Sequence, residues 1–439
     1  MKKNFGLFLT MIFLFASCAN LFQPQQKAFR KSIPVVVTID SSAFIYSGLS
    51  EPSVTINKNK NNNFIAGSIY DNVYTSFDEG RNWQKGKLTS PYGVFGDPCL
   101  ASDKKGNIYY LHLSNPLHKT DSTYLIDRIV IQHSTDGGKT WTKGTGIGYN
   151  PPKQQDKHWV GIHPVSGKLA VSWTEFDKYM SRNPSDHSRI LFSSSQDQGK
   201  TWTKPVKINQ LDGDCLDDDN TTEGAVPVWD KEGNVYVAWA YANKIYFDKS
   251  KDGGKTWRKE DIVAADQPGG WNYEIPGVFR ANGLPVLAID QSDGKYAGNL
   301  YINWTDQRNG KNNTDVFIVK SEDGGLTWTK PKRVNTDNTK THQFLSWMSV
   351  DPVTGYIYIV YYDRSKYPDN RTDVTLAMST NGGKSFVTKT ISQAPFIPVK
   401  NAFMGDYNNV DAYNGLIVAV WTELTKNHIA IKSNTLKIQ

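Results

Sequence analysis

One short pattern, Ser-x-Asp-x-Gly-x-Thr-Trp, recurs along this chain and constrains its fold more than any other feature. Copies run from Ser76 to Trp83 (with Asn82 in place of Thr), Ser134 to Trp141, Ser195 to Trp202, Ser250 to Trp257 and Ser321 to Trp328. A degenerate sixth runs from Ser379 to Phe386. Asp can accept hydrogen bonds from nearby backbone amides and Gly supplies positive φ, so the core of the pattern suits a tight turn between two antiparallel strands. The closing aromatic then begins a buried strand. Six such turns, 55 to 71 residues apart, imply a repeated all-β unit of the kind that closes into a radial propeller.

Each turn follows two strand-like runs, as in Val235-Tyr236-Val237-Ala238-Trp239 and Ile245-Tyr246-Phe247, with a further run, Ala225-Val226-Pro227-Val228, before them. With the strand after the Trp, this makes four strands per unit, or one blade. The first-strand runs begin near Glu51, Asp97, His158, Glu223, Leu284, Ser346 and Asp406, which is seven starts for six turns. The last unit, 406–431, lacks an outer strand, and residues 34–39 near the N-terminus can supply it and remove the exposed edges. The expected fold is therefore all-β: a single propeller of seven blades of four antiparallel strands, with six blades as the alternative.

The repeated pattern resembles the Asp-box, or bacterial neuraminidase repeat, of sialidases and many other propellers, and the resemblance extends over nearly the whole chain. It implies boxes on the face away from the active site. It also implies sialidase-like chemistry: three arginines gripping a substrate carboxylate, a Tyr nucleophile activated by a Glu, and an Asp acid/base. Matched onto this sequence, Arg280, Arg308 and Arg364 would grip, Tyr407 would attack, Glu423 would activate it and Asp97 would be the acid. The family's Phe/Tyr-Arg-Ile-Pro motif is broken here, because Phe29-Arg30-Lys31-Ser32-Ile33-Pro34 carries an insertion.

Lys2 and Lys3 precede an apolar run, Phe5 to Phe15, that ends at Ala16-Ser17-Cys18. The run is short for a transmembrane helix and resembles a bacterial lipoprotein signal. The expected layout is a signal peptide over 1–17, a lipidated Cys18 with a polar tether over 18–32, and a propeller over 33–439. The protein is then expected in the bacterial envelope, on the outer membrane, periplasmic or surface-exposed, touching the membrane only through its lipid. The net charge of +7 is spread along the chain, which speaks against a nucleic-acid stripe, and a monomer is expected. Cys99 and Cys215 each follow a Gly-Asp turn. In an oxidising compartment they are expected to pair, the other reading being two separate buried thiols.

Residues recurring at one position in many blades read as scaffold. Glu175, Asp306, Asp363 and Glu423 close the second strand in four blades, and Asp315 and Asp373 open the third, where Arg308 and Arg364 are candidate partners. Residues unique to one blade are better site candidates. Arg280 lies in an interblade connection, while His158, Trp159, Trp347, Asp406 and Tyr407 occupy comparable inner positions. Together they describe an aromatic, mixed-charge pocket at the axis. Aromatic faces stack on sugar rings and Arg pairs with carboxylates, so an acidic sugar is the natural ligand, although Trp159 and Trp347 would equally serve to pack the blades. The segment 212–223 holds six carboxylates, and Asp214, Asp217 and Asp219 are candidate ligands for a structural Ca²⁺; no cofactor is otherwise required. No zinc-type cluster, phosphate loop or Gly-x-Ser-x-Gly elbow occurs. These features favour an exo-type glycoside hydrolase acting on acidic or complex glycans. Two alternatives remain: a polysaccharide lyase using His158, Tyr407 and Arg280, and a non-catalytic glycan- or protein-binding propeller.

Overall fold

The computed structural model describes Met1, residues 35–115 and residues 126–438, and every regular element in them is a β-strand. The signal segment, Cys18, the tether and the Phe29–Pro34 motif lie outside the described residues. Seven four-stranded antiparallel sheets form the blades, spanning 53–87, 99–147, 154–207, 223–266, 286–333, 343–390 and 409–437. The seventh blade has only three strands of its own, and Val36–Ser42 completes it. That strand pairs antiparallel with His428–Lys437, Val36 opposite Asn434 and Ser42 opposite Ile429, with a bulge between Thr38 and Asp40. The expected closure therefore holds, two residues further along the chain than the sequence suggested.

Each box joins the third and fourth strands of its blade. In the fourth blade the Ser250 hydroxyl donates to Asp252 Oδ1 (2.7 Å) and accepts from the Gly254 amide (2.8 Å). Asp252 also accepts from the amides of Lys255 and Thr256 and from the Thr256 hydroxyl at 2.6 Å. Gly254 has φ +91°, and a Cβ there would overlap the Phe192 ring of the preceding blade. Gly325 meets Phe247 in the same way. Glycine is thus required both by the turn and by the closeness of neighbouring blades. Between blades, Trp173, Trp239, Trp304 and Trp421, at matching positions of the second strands, are fully buried.

The innermost strands enclose an axial channel with a cavity of about 230 Å³, lined by residues of all seven blades. At the heads of six of these strands one residue adopts positive φ: Glu51, Asp97, Lys157, Gly224, Leu345 and Gly405. In the third, fourth and sixth blades this residue sits in a register shift between the first two strands. Such a bulge re-aims the side chains beside it. Here it gathers the strand heads around the axis, on the face opposite the boxes.

Cys99 and Cys215 do not pair; both are free and buried. Cys99 heads the inner strand of the second blade and lies against the backbone of Val160. Cys215 sits in the link before the fourth blade, against the backbone of Asp177 and Lys178. The similar Gly-Asp settings are not equivalent in the fold, because the head of the fourth blade is Glu223 and not the 213–215 turn.

Candidate functional site

At the axial end of the strand heads lies a buried charged cluster. Lys157 Nζ is 2.8 Å from Asp406 Oδ2, 3.3 Å from Asp97 Oδ2 and 3.9 Å from Glu51 Oε1. One cation thereby joins the first, second, third and seventh blades. Asp406 also meets Arg280 Nε at 3.0 Å, and Arg280 grips both oxygens of Asp217, at 2.9 and 3.2 Å. Tyr179 donates its hydroxyl to Asp217 Oδ2 at 2.7 Å.

Arg280 reaches this point because the connection from the fourth to the fifth blade forms a small ribbon, Asn272–Tyr273 against Ala281–Asn282. Asn282 donates to the Asp406 carbonyl at 2.9 Å and fixes the ribbon to the seventh blade. The Arg280 side chain remains 25% exposed. It opens on a cavity of about 360 Å³ lined also by Asp217, Asn272, Glu274, Phe279 and Lys400.

Six carboxylates (Glu51, Asp97, Asp156, Asp217, Glu223 and Asp406) share two cations, Lys157 and Arg280, so they cannot all ionise at ordinary cost. Burial opposes ionisation of Asp406, but Arg280 and Lys157 outweigh it and hold this carboxyl below its usual range. Burial and the Asp97 charge push Glu51 well above its usual range. Glu223 is fully buried with both oxygens lacking a hydrogen-bond partner, and burial together with Asp217 and Asp156 raises it strongly. Burial also lifts Asp156, against the pull of Lys157 and with the help of Asp97 and Asp217, to about 7. Proton-holding and ionised carboxyls therefore stand side by side around the Arg280–Asp217 pair. Tyr179 is raised by burial and then by Asp217 and Asp156.

Below this cluster, Trp159 and Trp347 meet with ring centroids 4.3 Å apart, and Tyr407 stands edge-on to Trp159 at 5.0 Å. Both tryptophans also line the axial channel, so they pack the blades and cap it. Tyr407 is buried beneath the charges and points its hydroxyl at the Pro98 carbonyl, 3.4 Å away; burial, Glu51 and Asp97 push the phenol well up. His158 is buried near Asp97, His112 and the backbone of Leu111, and burial brings its imidazole down to about 4.

Of the sequence candidates, Asp97, Asp406, Tyr407, Arg280, His158, Trp159 and Trp347 come together at the axial end. Arg308 does not join them: it pairs with Asp306 through Nε at 2.9 Å and NH2 at 2.5 Å and lies over the Phe317 ring. Arg364 is buried among the Pro276 carbonyl, Asn370 and Thr372, and burial lowers it to about 10. Nor do the expected Asp315 and Asp373 partner these arginines, because Asp315 takes Arg333 and Asp373 takes Lys366. Glu423 is half-buried on the second strand of the last blade, where its charge acts on Tyr362; Glu51 and Asp97 are the acids that act on Tyr407.

The suggested Ca²⁺ ligands are engaged separately. Asp214 accepts from Leu216 N and Thr221 Oγ1, Asp217 holds Arg280, and Asp219 accepts from Asn272 N. Among the described residues no three His, Cys, Asp or Glu side chains converge in a metal-binding group. Sequence reasoning missed Lys157, Asp156 and Tyr179, and placed Glu51 and Glu223 only as strand starts.

Fold and boxes together define an Asp-box β-propeller. Residues 132–143 match the BNR/Asp-box repeat, and no curated protein sequence matches the chain. The fold is similar to that of the NanB sialidase of Streptococcus pneumoniae, at 11% identity and TM-score 0.50 over 78% of this chain and 68% of that one. It is likewise similar to an ulvan lyase, from a new family of polysaccharide lyases, bound to a GlcA–Rha3S glycan: 12% identity, TM-score 0.53, 89% of this chain and 95% of that one. A protein of unknown function from Dyadobacter fermentans matches at 12% identity and TM-score 0.50, over 93% of this chain and all of the other. Identities this low speak for the fold alone.

Proposed function

We propose that this propeller acts on acidic glycans as a glycoside hydrolase, at the mouth of the Arg280 cavity. The observation that carries this reading is the set of proton-holding and ionised carboxyls around a part-exposed arginine. Arg280, whose Nε meets Asp406 and whose two terminal nitrogens meet Asp217, offers its remaining terminal N–H groups and its positive charge to a sugar carboxylate at the cavity. Asp156, holding its proton to about 7, donates it to the departing glycosidic oxygen as the general acid. Water attacks the anomeric carbon, and Asp217, with Tyr179 on one oxygen, accepts the water's proton. Glu223, raised strongly by burial and by Asp217 and Asp156, holds its own proton and keeps the local negative charge low.

This differs from the sialidase plan. Tyr407 is shut beneath the aromatic cap, and Arg308 and Arg364 are committed elsewhere, so neither the nucleophile nor the triple grip of that plan is supported. A lyase is the second reading, favoured by Tyr179 lying beside Arg280, where a uronate would be neutralised. We further propose that Cys18 anchors the protein to the bacterial envelope, a reading supported by the Ala16-Ser17-Cys18 sequence. The test is incubation of the purified protein with sialosides, uronate polysaccharides and neutral glycans. New reducing ends without ultraviolet absorbance of an unsaturated uronate support a hydrolase, and reducing ends with it a lyase. Binding without products makes the protein a non-catalytic lectin.

A further inference from the structure

Among the described residues five aromatic side chains are exposed: Phe44, Tyr46, Tyr70, Tyr149 and Phe279. Every one stands on a loop of the face that carries the Arg280 cavity. Tyr70 is in the turn between the second and third strands of the first blade, and the others are in links between blades. On the box face the exposed large apolar residues are aliphatic instead: Val165, Leu326 and Val353. A singly exposed apolar residue is ordinary, whereas a contiguous exposed set marks an interaction surface.

Three of the five form a continuous row. Phe279, which lines the cavity beside Arg280, meets Phe403 edge-on at 6.2 Å. Phe403 lies two residues from Asn401, whose carbonyl accepts the Tyr46 hydroxyl at 3.2 Å. Tyr46 in turn meets Phe44 at 5.6 Å. The row thus runs from the cavity, over the link before the last blade, to the link that follows the closing strand. Lys400, which also lines the cavity, stands beside it.

We propose that this row is a track of sugar-stacking subsites, so that the protein binds a glycan chain of several residues and not a single terminal sugar. The inference rests on the reading of the Arg280 cavity as an acidic-glycan site and adds the length of the ligand. A protein partner would call for a contiguous apolar patch with a dry centre. Here the rings fall into two edge-on pairs, Phe279 with Phe403 and Tyr46 with Phe44, joined through the polar Asn401 carbonyl, and no dry centre forms because Phe44, Tyr46 and Phe279 are all exposed. That arrangement suits the apolar faces and hydroxyl edges of successive pyranose rings. The track is also continuous with the cavity, as a chain entering it would need.

The test is affinity as a function of chain length, measured with oligogalacturonates and oligosialic acids from monosaccharide to octamer, in the Asp156→Asn background so that the chains persist. Affinity is expected to rise with length and then level off. Phe44→Ala and Tyr46→Ala should each lower octamer affinity about 3- to 10-fold and leave monosaccharide affinity unchanged, whereas Phe279→Ala, which lines the cavity itself, should weaken every length. Tyr46→Phe should retain the gain from length, and thermal melts confirm that the variants are folded. Affinity independent of length, or alanine variants that bind the octamer like their parent, would overturn the track while leaving the cavity as the site. Absence of binding to every length of both series would overturn the track together with the reading on which it rests.

Discussion

Replacing Lys157 with Met removes the one cation that joins four blades, while keeping a side chain of similar length in the space. At an effective dielectric of about 20, each of the contacts at 2.8 and 3.3 Å corresponds to roughly 5–6 kcal/mol of attraction. The cost of burying the ammonium offsets much of this. Removing one partner of a buried ion pair therefore costs about 3–5 kcal/mol, because the remaining charges stay buried. The loss should depend on pH. Lys157 is raised above its ordinary value by Asp406, Asp97 and Glu51 despite burial. Its contribution is therefore fully present below the ordinary amine range and is lost only as pH rises through the raised value. Between about pH 5 and pH 8 the lysine itself does not titrate. In the variant the buried acids must titrate instead. Glu51, already raised by burial and Asp97, takes up a proton on folding, so stability falls as pH rises through its folded value. Urea unfolding followed by tryptophan fluorescence should thus show a larger deficit at about pH 8 than at about pH 5. A deficit below about 1 kcal/mol, or one equal at both pH values, would refute the placement of Lys157 as the counter-charge of the cluster.

Cys99 and Cys215 should be free thiols that react with a thiol reagent only on unfolding, since both are buried and burial pushes Cys99 up to about 12; a disulfide between them found by non-reducing mass spectrometry would contradict the fold described. Asp252→Ala removes the acceptor of four donors in one box, two amides and two hydroxyls, and should cost about 1–2 kcal/mol, as loss of a helix cap does, read by denaturant midpoint; no change would mean the box is not a stabilising turn. Deleting residues through Ser42 exposes the edge of the last blade and should turn soluble protein into aggregates; a soluble, cooperatively unfolding product would show that the strand is dispensable.

The fold was legible because its punctuation repeats. Six boxes fix the turn between the third and fourth strands, and seven strand starts against six boxes fix the last blade and its borrowed strand. The site was half legible for a physical reason. The starts Glu51, Asp97, Glu223 and Asp406 mark the axis correctly, yet the third blade was read as presenting His158. In an ideal strand, alternation decides which side chain faces the axis, and one inserted residue reverses it. The register shift between Asp156 and Trp159, with Lys157 at φ +47°, brings the lysine into the cluster and buries the histidine. The arginines failed differently. Asp306, two residues before Arg308, satisfies it within its own strand end, and Arg364 finds the Pro276 carbonyl of a distant link, which no spacing along the chain records. Arg280 was found because nothing in the other blades resembles it.

The most direct test of the account is the pH dependence of product formation from an acidic polysaccharide by the wild-type protein and by Asp156→Asn. With Asp156 as the general acid, kcat/KM should fall as pH rises through about 7, where the wild-type group loses its proton. The Asn variant should lose about 10²–10⁴-fold in rate and lose that limb. A variant that turns over as fast as wild type, or a wild-type profile unchanged through pH 7 with the same products, would contradict the assignment of chemistry to the axial carboxyls.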